Sequence, residues 1–389
     1  MNILFLSLYF EPDLSAGSFR NSNLFKEIMH RMGKDDYIHV ITTMPNRYHS
    51  YKVDVSAEEV GDNYKISRIQ LPNHTNGMWD QSKAYTVFYR EAFRLVKKER
   101  FQLVYASSSR LFTALLGRQL ANKFKAILYL DVRDIFVDTI ADLFAGKPLI
   151  QRPLTMFLKL IERYTFKNAN HINLISEGFS SYFAEYSKPN KTFFTNGIDN
   201  IFISAGKEAT ESVTKPYLIT YAGNIGSGQG LEKIIPEAAK RLGNDYHFRI
   251  IGSGGTLNLL EERIKDMQLN NVEILKPVAR NELIHYYKES TFLFFHLNNF
   301  DAFKKVLPSK MFEYGAFDKP IIAGVGGYAK EFVQRYIPNH ILFEPTDVDS
   351  FVRQIRDFKI EFKERVEFKE RFQRSTIDRE MADSILSYL

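Results

Sequence analysis

The sequence predicts an α/β protein of two Rossmann-like, doubly wound domains. Three observations carry that expectation. The length, 389 residues, is about twice that of a typical domain. Continuous apolar, β-capable runs alternate with helical spacing along both halves, and one polar, aperiodic stretch interrupts the alternation. Alternating strands and helices with apolar strands imply parallel sheets covered on both faces.

Residues 2–9 read as a buried first strand and residues 12–17 as a Gly-containing loop. Residues 20–32 follow as a helix with Leu24, Ile28 and Met32 on one side. The unit recurs, with strands near 38–43, 102–106, 126–131 and 171–175 and helices near 82–99, 111–123 and 150–167. From Ile203 to Lys215 the chain is polar and without apolar period, and Pro216 closes it, which is the pattern of a linker. Beyond it, strands in YLITYAG, HFRIIGSGG, VEIL, TFLFFHL and PIIAG alternate with helices at 231–242, 256–267, 280–288 and near 309–317. The expected division is a first domain at 1–203, a linker at 204–215, a second domain at 216–372, and a C-terminal helix at 373–389 that packs back on the first domain. The end of the chain reads as a charged helical tail in which EFKER occurs at 361–365 and 367–371, with Glu361/Arg365 and Glu367/Arg371 as i,i+4 pairs. Ser375 and Asp378 resemble a capping box opening a final helix that carries Met381, Ile385 and Leu386.

Composition excludes several classes of function. With 44% hydrophobic and 25% charged residues the chain is too apolar for disorder. It has 0 Cys, so disulfides, thiolate metal sites and cysteine nucleophiles are excluded. No run reaches the roughly 18 apolar residues of a spanning helix. The opening MNILFLSLYF lacks a basic start and a cleavage site, so it is expected to be a strand rather than a signal peptide, in a cytoplasmic protein. Residues 1–200 hold 26 Lys and Arg against 20 Asp and Glu, and the remainder 26 against 26, so any anionic partner reached through the long-range field is expected on the first half. That surplus is too sparse for a DNA-reading stripe, and nucleic acid is not an expected partner. The 9 His show no ligand spacing, and the one D-x-D, Asp347 to Asp349, fits helix capping, so neither a metal site nor a cofactor is expected. His296, ending an apolar strand, reads as a loop or core histidine.

Chemistry is expected at the carboxyl ends of the two sheets, around a cleft between the domains. Three Gly-rich loops lie between a strand and a helix: 14–20 (LSAGSFR), 221–230 (YAGNIGSGQG) and 250–255 (IIGSGG). Free N–H groups at a helix start receive phosphate oxygens, and glycine lets the ligand approach the backbone. Their spacing is not that of a nicotinamide site, because Gly226, Gly228 and Gly230 give G-x-G-x-G, Gly252, Gly254 and Gly255 give G-x-G-G, and the second strand ends in Thr42 and Thr43. In 307–323 (LPSKMFEYGAFDKPIIA), a helix beginning at Ser309 places Lys310 as a point charge for a phosphate and Glu313 one turn further, where a carboxylate suits paired ribose hydroxyls.

Together with 9–20 (YFEPDLSAGSFR), 130–134 (LDVRD) and 195–199 (TNGID), these motifs make the whole chain resemble a family 4 glycosyltransferase of the GT-B fold, in particular the bacterial enzymes that build O-antigen or capsular repeat units, N-acetylfucosamine-type transferases among them. The resemblance implies Gly17 at the donor diphosphate, Gly223, Asn224 and Gly252 at the second-domain phosphate loops, Lys310 and Ser309 near the phosphates, and Glu313 on the ribose. Arg133 and Asp134, ending a strand, are presented to the transferred sugar or the acceptor, and Asn196, in a turn with Gly197, lies beside the sugar or holds the hinge. A plain Arg133–Asp134 salt bridge is the structural alternative. The chain departs from the family where Lys305 stands eight positions before Glu313, and where Asn224 and Gln229 stand in place of the usual Arg and Lys. Phosphate charge then falls to backbone, to Lys310, or to Arg20 of the first domain.

The implied function is a retaining, metal-independent transfer from a nucleotide-sugar, UDP-linked, to a lipid-linked or saccharide acceptor, with Asp134, Lys310 and Glu313 as catalytic candidates. The alternatives are a nucleotide-sugar epimerase of the same fold and a non-catalytic sugar-nucleotide-binding protein. Residues 79–101 combine Trp79, Tyr85, Phe88 and Phe93 with Lys83, Arg90, Arg94, Lys97, Lys98 and Arg100, the composition of a helix lying on the inner, anionic face of the cytoplasmic membrane.

Overall fold

The computed structural model describes the chain apart from residues 14, 46–53, 73–77, 109 and 207–212, and describes only the backbone of 78–81. The chain forms two compact units, Met1–Thr195 with Thr376–Leu389, and Asn196–Ser375. The first boundary therefore lies at 195/196 rather than 203/204. The reason is packing: Ile198 and Phe202 are fully buried in the core of the second unit, and the Ile198 N–H donates to Phe372 O at 2.7 Å. Half of the expected linker, 207–212, lies outside the described residues.

In the first unit, strands β1 (Asn2–Leu6), β2 (Tyr37–Thr43), β3 (Glu58–Val60), β4 (Tyr64–Ile69), β5 (Leu103–Ser108), β6 (Ile127–Val132), β7 (His171–Leu174) and β8 (Asn190–Thr192) form one sheet in the order β3-β4-β2-β1-β5-β6-β7-β8. It is parallel except for β3 against β4. Helices α1 (Ala16–Met29), α2 (Met78–Leu95), α3 (Leu111–Phe124), α4 (Phe136–Leu143) and α5 (Pro148–Phe166) connect the strands. Alternation along β1 sends Ile3 and Phe5 into a core with Leu24 and Ile28 of α1, while Leu4 and Leu6 are buried on the other face. Each such side chain contributes about 1.5–3 kcal/mol of burial. Gly117 of α3 leaves room for Ala106 of β5, whose Cβ a methyl at 117 would meet at 2.8 Å.

The C-terminal helix, Arg374–Leu386, returns to the first unit from Thr376 onward, with Met381, Ala382 and Ile385 fully buried beside β1 residues. It begins at Arg374, so Ser375 sits inside the helix and is not its cap. Residues beyond it also dock: the Tyr388 hydroxyl lies 3.1 Å from His171 Nδ1, and the His171 ring stacks on Tyr129 at 4.1 Å. Burial pushes the His171 pKa down to about 4.

The second unit holds α6 (Asn200–Ala205), β9 (Tyr217–Asn224), α7 (Leu231–Leu242), β10 (Tyr246–Ser253), α8 (Leu257–Asp266), β11 (Val272–Leu275), α9 (Arg280–Glu289), β12 (Phe292–His296), α10 (Ser309–Gly315), β13 (Ile321–Gly324), α11 (Gly327–Tyr336), β14 (His340–Phe343), α12 (Val348–Asp357) and α13 (Val366–Arg371). Its sheet is parallel throughout and ordered β11-β10-β9-β12-β13-β14. The chain winds outward one way from β9 and then the other way from β12, so the switch point between those strands is the expected ligand position of this sheet. Asp347 caps α12 by accepting from Ser350 N at 2.9 Å, and Asp349 pairs with Arg241 at 2.6 Å, which gives both carboxylates structural work.

The expected helical tail is interrupted. Residues 358–365 are not helical, and Arg365 is buried, its guanidinium donating to Lys319 O and Asn339 Oδ1 at 2.6 Å and to Phe317 O. Glu361 pairs with Lys359 and Lys363 instead of Arg365. A buried guanidinium bound by three carbonyl-type oxygens holds this non-helical segment more strongly than an exposed i,i+4 pair holds a helix.

The helix expected near 82–99 forms as α2 and packs one face into the core. In α2, Ala84, Phe88 and Ala92 are buried, and Tyr85 packs on Phe88 and Phe112. Tyr85 and Phe88 therefore point inward, Tyr89 and Phe93 are half-buried, and Lys83, Arg90 and Arg94 of the helix, with Lys97, Lys98 and Arg100 beyond it, are exposed. The Trp79 side chain lies outside the described residues.

Candidate functional site

Register brings the glycines of the second unit together. In the β9–β10 pairing Gly223 lies opposite Gly252, and Asn224 opposite Ser253. A Cβ on Gly252 would collide with the Gly223 carbonyl oxygen, so only glycine allows the two strand ends this approach. Beyond β9 the chain turns through 225–230 to α7. Asn224 Nδ2 donates to Gln229 Oε1 at 2.8 Å, closing the loop on itself, and the Tyr221 hydroxyl donates to Asn224 O at 2.5 Å. Gly230 opens α7 with φ +58, the left-handed region that glycine enters without penalty.

Residues at and just beyond the end of β12 fasten the same loop. The Asn298 N–H donates to Gly228 O and Asn298 Nδ2 to Ser227 O, each at 2.8 Å. His296 Nε2 accepts from Thr346 N at 2.9 Å, which leaves its Nδ1 as the donor to Gln229 O. Burial pushes the His296 pKa down to about 4, more than the Gln229 hydrogen bond raises it. His296 is thus a neutral clamp on the loop, in agreement with its reading as a core histidine.

The helix expected to begin at Ser309 does so, as α10, and ends at Gly315. Tyr314 ties it to β9 by accepting from Ala222 N at 3.0 Å. One turn along, Lys310 Nζ donates to Glu313 Oε2 at 2.8 Å, while Lys310 Cε lies 3.6 Å from the position a Cβ on Gly223 would take. Gly223, Lys310 and Glu313, widely separated in sequence, therefore meet at one place beside the switch point. Three further residues of the cluster carry no spacing signal because they arrive from other elements. The Tyr287 hydroxyl of α9 donates to Glu313 Oε2 and accepts from Lys310, both at 3.4 Å. Arg280 lies 4.0 Å from Glu313 Oε1 and pairs with Asp199, which also pairs with Arg374 at 2.6 Å. Burial raises the Tyr287 pKa well above its ordinary value, so this hydroxyl remains a donor. Glycine-lined backbone beside a lysine can receive an anion, and a carboxylate with lone pairs to spare can accept from paired hydroxyls. Asn196 opens the second unit with a buried side chain; its neighbour Gly197 accepts from Arg374 Nη2 at 2.8 Å. No described contact joins Asn196 to the Gly223–Lys310–Glu313 cluster.

The first unit has its own gathering of expected residues. Gly17 lies in the first turn of α1, and a Cβ there would collide with Arg133 Nη1. The glycine is thus the seat of the Arg133 guanidinium. Asp134 follows, half-buried at the carboxyl end of β6, accepting from Thr139 Oγ1 at 3.2 Å. Burial pushes its pKa up to about 6, against the lowering influence of the Thr139 hydroxyl, the Ile135 N–H and the Arg133 charge.

Arg20 is not available to a ligand, contrary to expectation. It is fully buried, with Nε and Nη2 on the two Asp131 oxygens at 2.9 and 3.0 Å, Nη1 on Thr195 O at 2.7 Å and Nη2 also on Phe194 O at 2.8 Å. Asp131 is completed by Asn173 Nδ2 at 2.8 Å and the Tyr105 hydroxyl at 3.2 Å. Burial alone would lower the Arg20 pKa and raise that of Asp131; their mutual attraction outweighs it and keeps both charged. The pair fastens the last residues of this unit's first segment to the middle of the sheet.

Among the described residues no group of three or more His, Asp or Glu could hold a metal ion, and no helix is long and apolar enough to cross a membrane. Residues 203–375 match the family model of glycosyl transferases group 1. A relative named for colanic acid biosynthesis glycosyl transfer, WcaI of Escherichia coli (strain K12), is 25% identical over 284 residues, covering 69% of this chain and 69% of that protein. Among solved structures, sucrose-phosphate synthase from Thermosynechococcus elongatus is similar with a TM-score of 0.73 at 13% identity, over 100% of this chain and 98% of that one. Anabaena HepE in complex with UDP and glucose is similar with a TM-score of 0.68 at 14% identity, over 100% of both chains.

Proposed function

We propose that this chain, a glycosyltransferase of the GT-B fold with a group 1 glycosyl transferase segment, moves a sugar from a UDP-linked donor held by the second unit to a saccharide or lipid-linked acceptor held by the first, in the synthesis of a surface polysaccharide such as O-antigen or capsule. The observation that carries this reading is the meeting of Gly223, Lys310 and Glu313 at the switch point of the second sheet. The names of the relatives support the class of product and donor: one is assigned to colanic acid biosynthesis and another is held in complex with UDP and glucose.

In this reading the N–H groups of the 225–230 loop and the start of α7, with Lys310, receive the donor diphosphate and stabilise it as leaving group. Glu313 turns its free lone pairs to the ribose, while Lys310 and Tyr287 fix its orientation. Arg280 adds a second cation beside the Glu313 carboxylate, 4.0 Å from its Oε1. The diphosphate charge is met by Lys310 and backbone rather than by Arg20, which is committed to Asp131. A donor phosphate oxygen takes the acceptor proton, the anomeric configuration is retained, and no metal takes part. Asp134, with its raised pKa, accepts from or donates to a hydroxyl of the acceptor near neutral pH.

A panel of UDP-, GDP-, ADP- and dTDP-sugars incubated with the purified protein, with and without EDTA and a saccharide acceptor, tests this directly. Acceptor-dependent release of UDP that survives EDTA is the expected result. Release of an altered nucleotide-sugar without acceptor would make the chain an epimerase, and no turnover with any donor would leave a binding protein.

A further inference from the structure

The two oxygens of Glu313 are occupied unequally. Oε2 accepts from Lys310 at 2.8 Å and from the Tyr287 hydroxyl at 3.4 Å. No described hydrogen bond ends on Oε1, and the guanidinium that faces it, Arg280, stands with Nη2 4.0 Å away. A shift of about 1 Å would close that gap to a charged hydrogen bond, and the planar fork of an arginine then takes both oxygens of a carboxylate. A second carboxylate holds the guanidinium back. The same Nη2 donates to Asp199 Oδ2, and the ring of Phe202 lies under the guanidinium with its centroid 4.9 Å away.

Asp199 is itself fixed within the second unit. It stands at the N-cap of α6, yet its side chain makes no capping bond there, so the usual reason for an aspartate before a helix does not apply. Its Oδ1 pairs with Arg374 Nε at 2.6 Å. Backbone pairing sets Arg374 in place: its N–H donates to Ile198 O at 2.9 Å, the Ile198 N–H donates to Phe372 O at 2.7 Å, and Arg374 Nη2 donates to Gly197 O at 2.8 Å. A Cβ on Gly197 would meet Arg374 Cα at 2.5 Å, so this approach requires glycine. Arg374, Asp199, Arg280, Glu313 and Lys310 thus alternate in charge, two carboxylates among three cations. The side chains of Asp199, Arg280 and Arg374 are only 11%, 16% and 7% exposed, and attraction between charges so shielded from water exceeds that of surface pairs.

We propose that Asp199 is a positioning residue for Glu313: by holding Arg280, it prevents the guanidinium from closing on Oε1 and keeps that oxygen open to the nucleotide. The proposal rests on the reading of Glu313 given above only in naming the nucleotide as the ligand. An uncharged residue at 199 releases Arg280, and Glu313 becomes the one carboxylate left to it in this set. The guanidinium then competes with the ribose hydroxyls for the same lone pairs. Loss of Asp199 therefore acts through Arg280, and removal of Arg280 as well should undo it.

Two measurements test this, one of them without nucleotide. By calorimetry, Asp199→Asn should raise the Kd for UDP about tenfold, the worth of a charged hydrogen bond, and adding Arg280→Gln to it should bring the Kd back to within about threefold of the parent. In urea unfolding, a cycle of Arg280→Gln and Glu313→Gln gives the coupling of that pair. Expressed as a ratio of equilibrium constants, the coupling should be about tenfold larger in the Asp199→Asn background than in the parent. Circular dichroism checks that each variant folds, and Asp199→Ser replaces Asp199→Asn in both measurements if the latter does not. An equal coupling in the two backgrounds overturns the proposal, as does a double variant that binds UDP no more tightly than Asp199→Asn alone, the result expected if Asp199 only braces the fold. If the parent binds no UDP, the nucleotide reading of the site fails, and the unfolding cycle alone decides whether Asp199 restrains Arg280.

Discussion

Glu313 is held by three groups before any ligand arrives: the Lys310 ammonium at 2.8 Å, the Tyr287 hydroxyl at 3.4 Å and the Arg280 guanidinium at 4.0 Å. Glu313→Ala removes a charged hydrogen-bonding partner from the donor, worth about 1.5–3 kcal/mol, so kcat/KM should fall roughly ten- to hundredfold with the fold retained. Unchanged kinetics would take Glu313 out of the site. Asp134 makes a different demand. Its folded pKa, about 6, lies above the unfolded 3.8, so between those values the folded state binds more protons, and the chain loses stability as pH rises through about 6. Asp134→Asn should therefore raise the free energy of urea unfolding at pH 7.5, by about 1–3 kcal/mol at most, give no gain at pH 4, and depress transfer about a hundredfold. A variant equally stable at pH 7.5, or as active as the parent, would contradict the assignment. The identities of these residues were legible because their motifs are local. The burial of Arg20 was not, since its partner Asp131 lies 111 positions away and no periodicity records such a pair.

At the scale of elements, the loop between β9 and α7 depends on a histidine that must stay neutral. His296 has a folded pKa of about 4 against 6.5 unfolded, so the unfolded state takes the proton first as pH falls. The stability it contributes is complete above 6.5 and is lost progressively toward pH 4, about 3 kcal/mol at most. Denaturation of the parent and of His296→Gln at pH 7.5 and 4.5 checks this: the variant should lose less between the two values, and parallel losses would refute it. His171 in the first unit has the same sign and its own variant serves as comparison. Elements with long apolar runs or clean helical period were readable: α7 occupies 231–242 as expected and β2, β5 and β6 lie within about two residues of their expected spans. β4 was missed because Lys65 and Arg68 break its apolar run, though both are bound by glutamates of the neighbouring hairpin strand.

For the whole molecule, the sheets follow one plan twice, strands running outward from the first of each unit to one side and then to the other, and alternation of strand and helix in the sequence was sufficient to anticipate it. The return of residues 376–389 to the first unit was legible only as an expectation that the last helix packs back. Its cost can be measured. Ending the chain at Ser375 removes Met381, Ala382 and Ile385 from the first core, each fully buried and worth about 1.5–3 kcal/mol. Limited proteolysis of the truncated protein should then degrade 1–195 while a fragment near 196–375 persists; equal resistance of both would show the last helix to be dispensable.

That interrupted first unit has a consequence for synthesis. Residues 1–195 leave the ribosome before the second unit, yet the side chains that close their core follow that unit. At about 5–20 residues per second, the intervening stretch takes roughly 10 to 40 seconds to translate. During that interval the nascent first sheet presents an uncovered apolar surface, and a chaperone that shields β1 and α1 until the final helix emerges would do for the growing chain what Met381 and Ile385 do for the finished one.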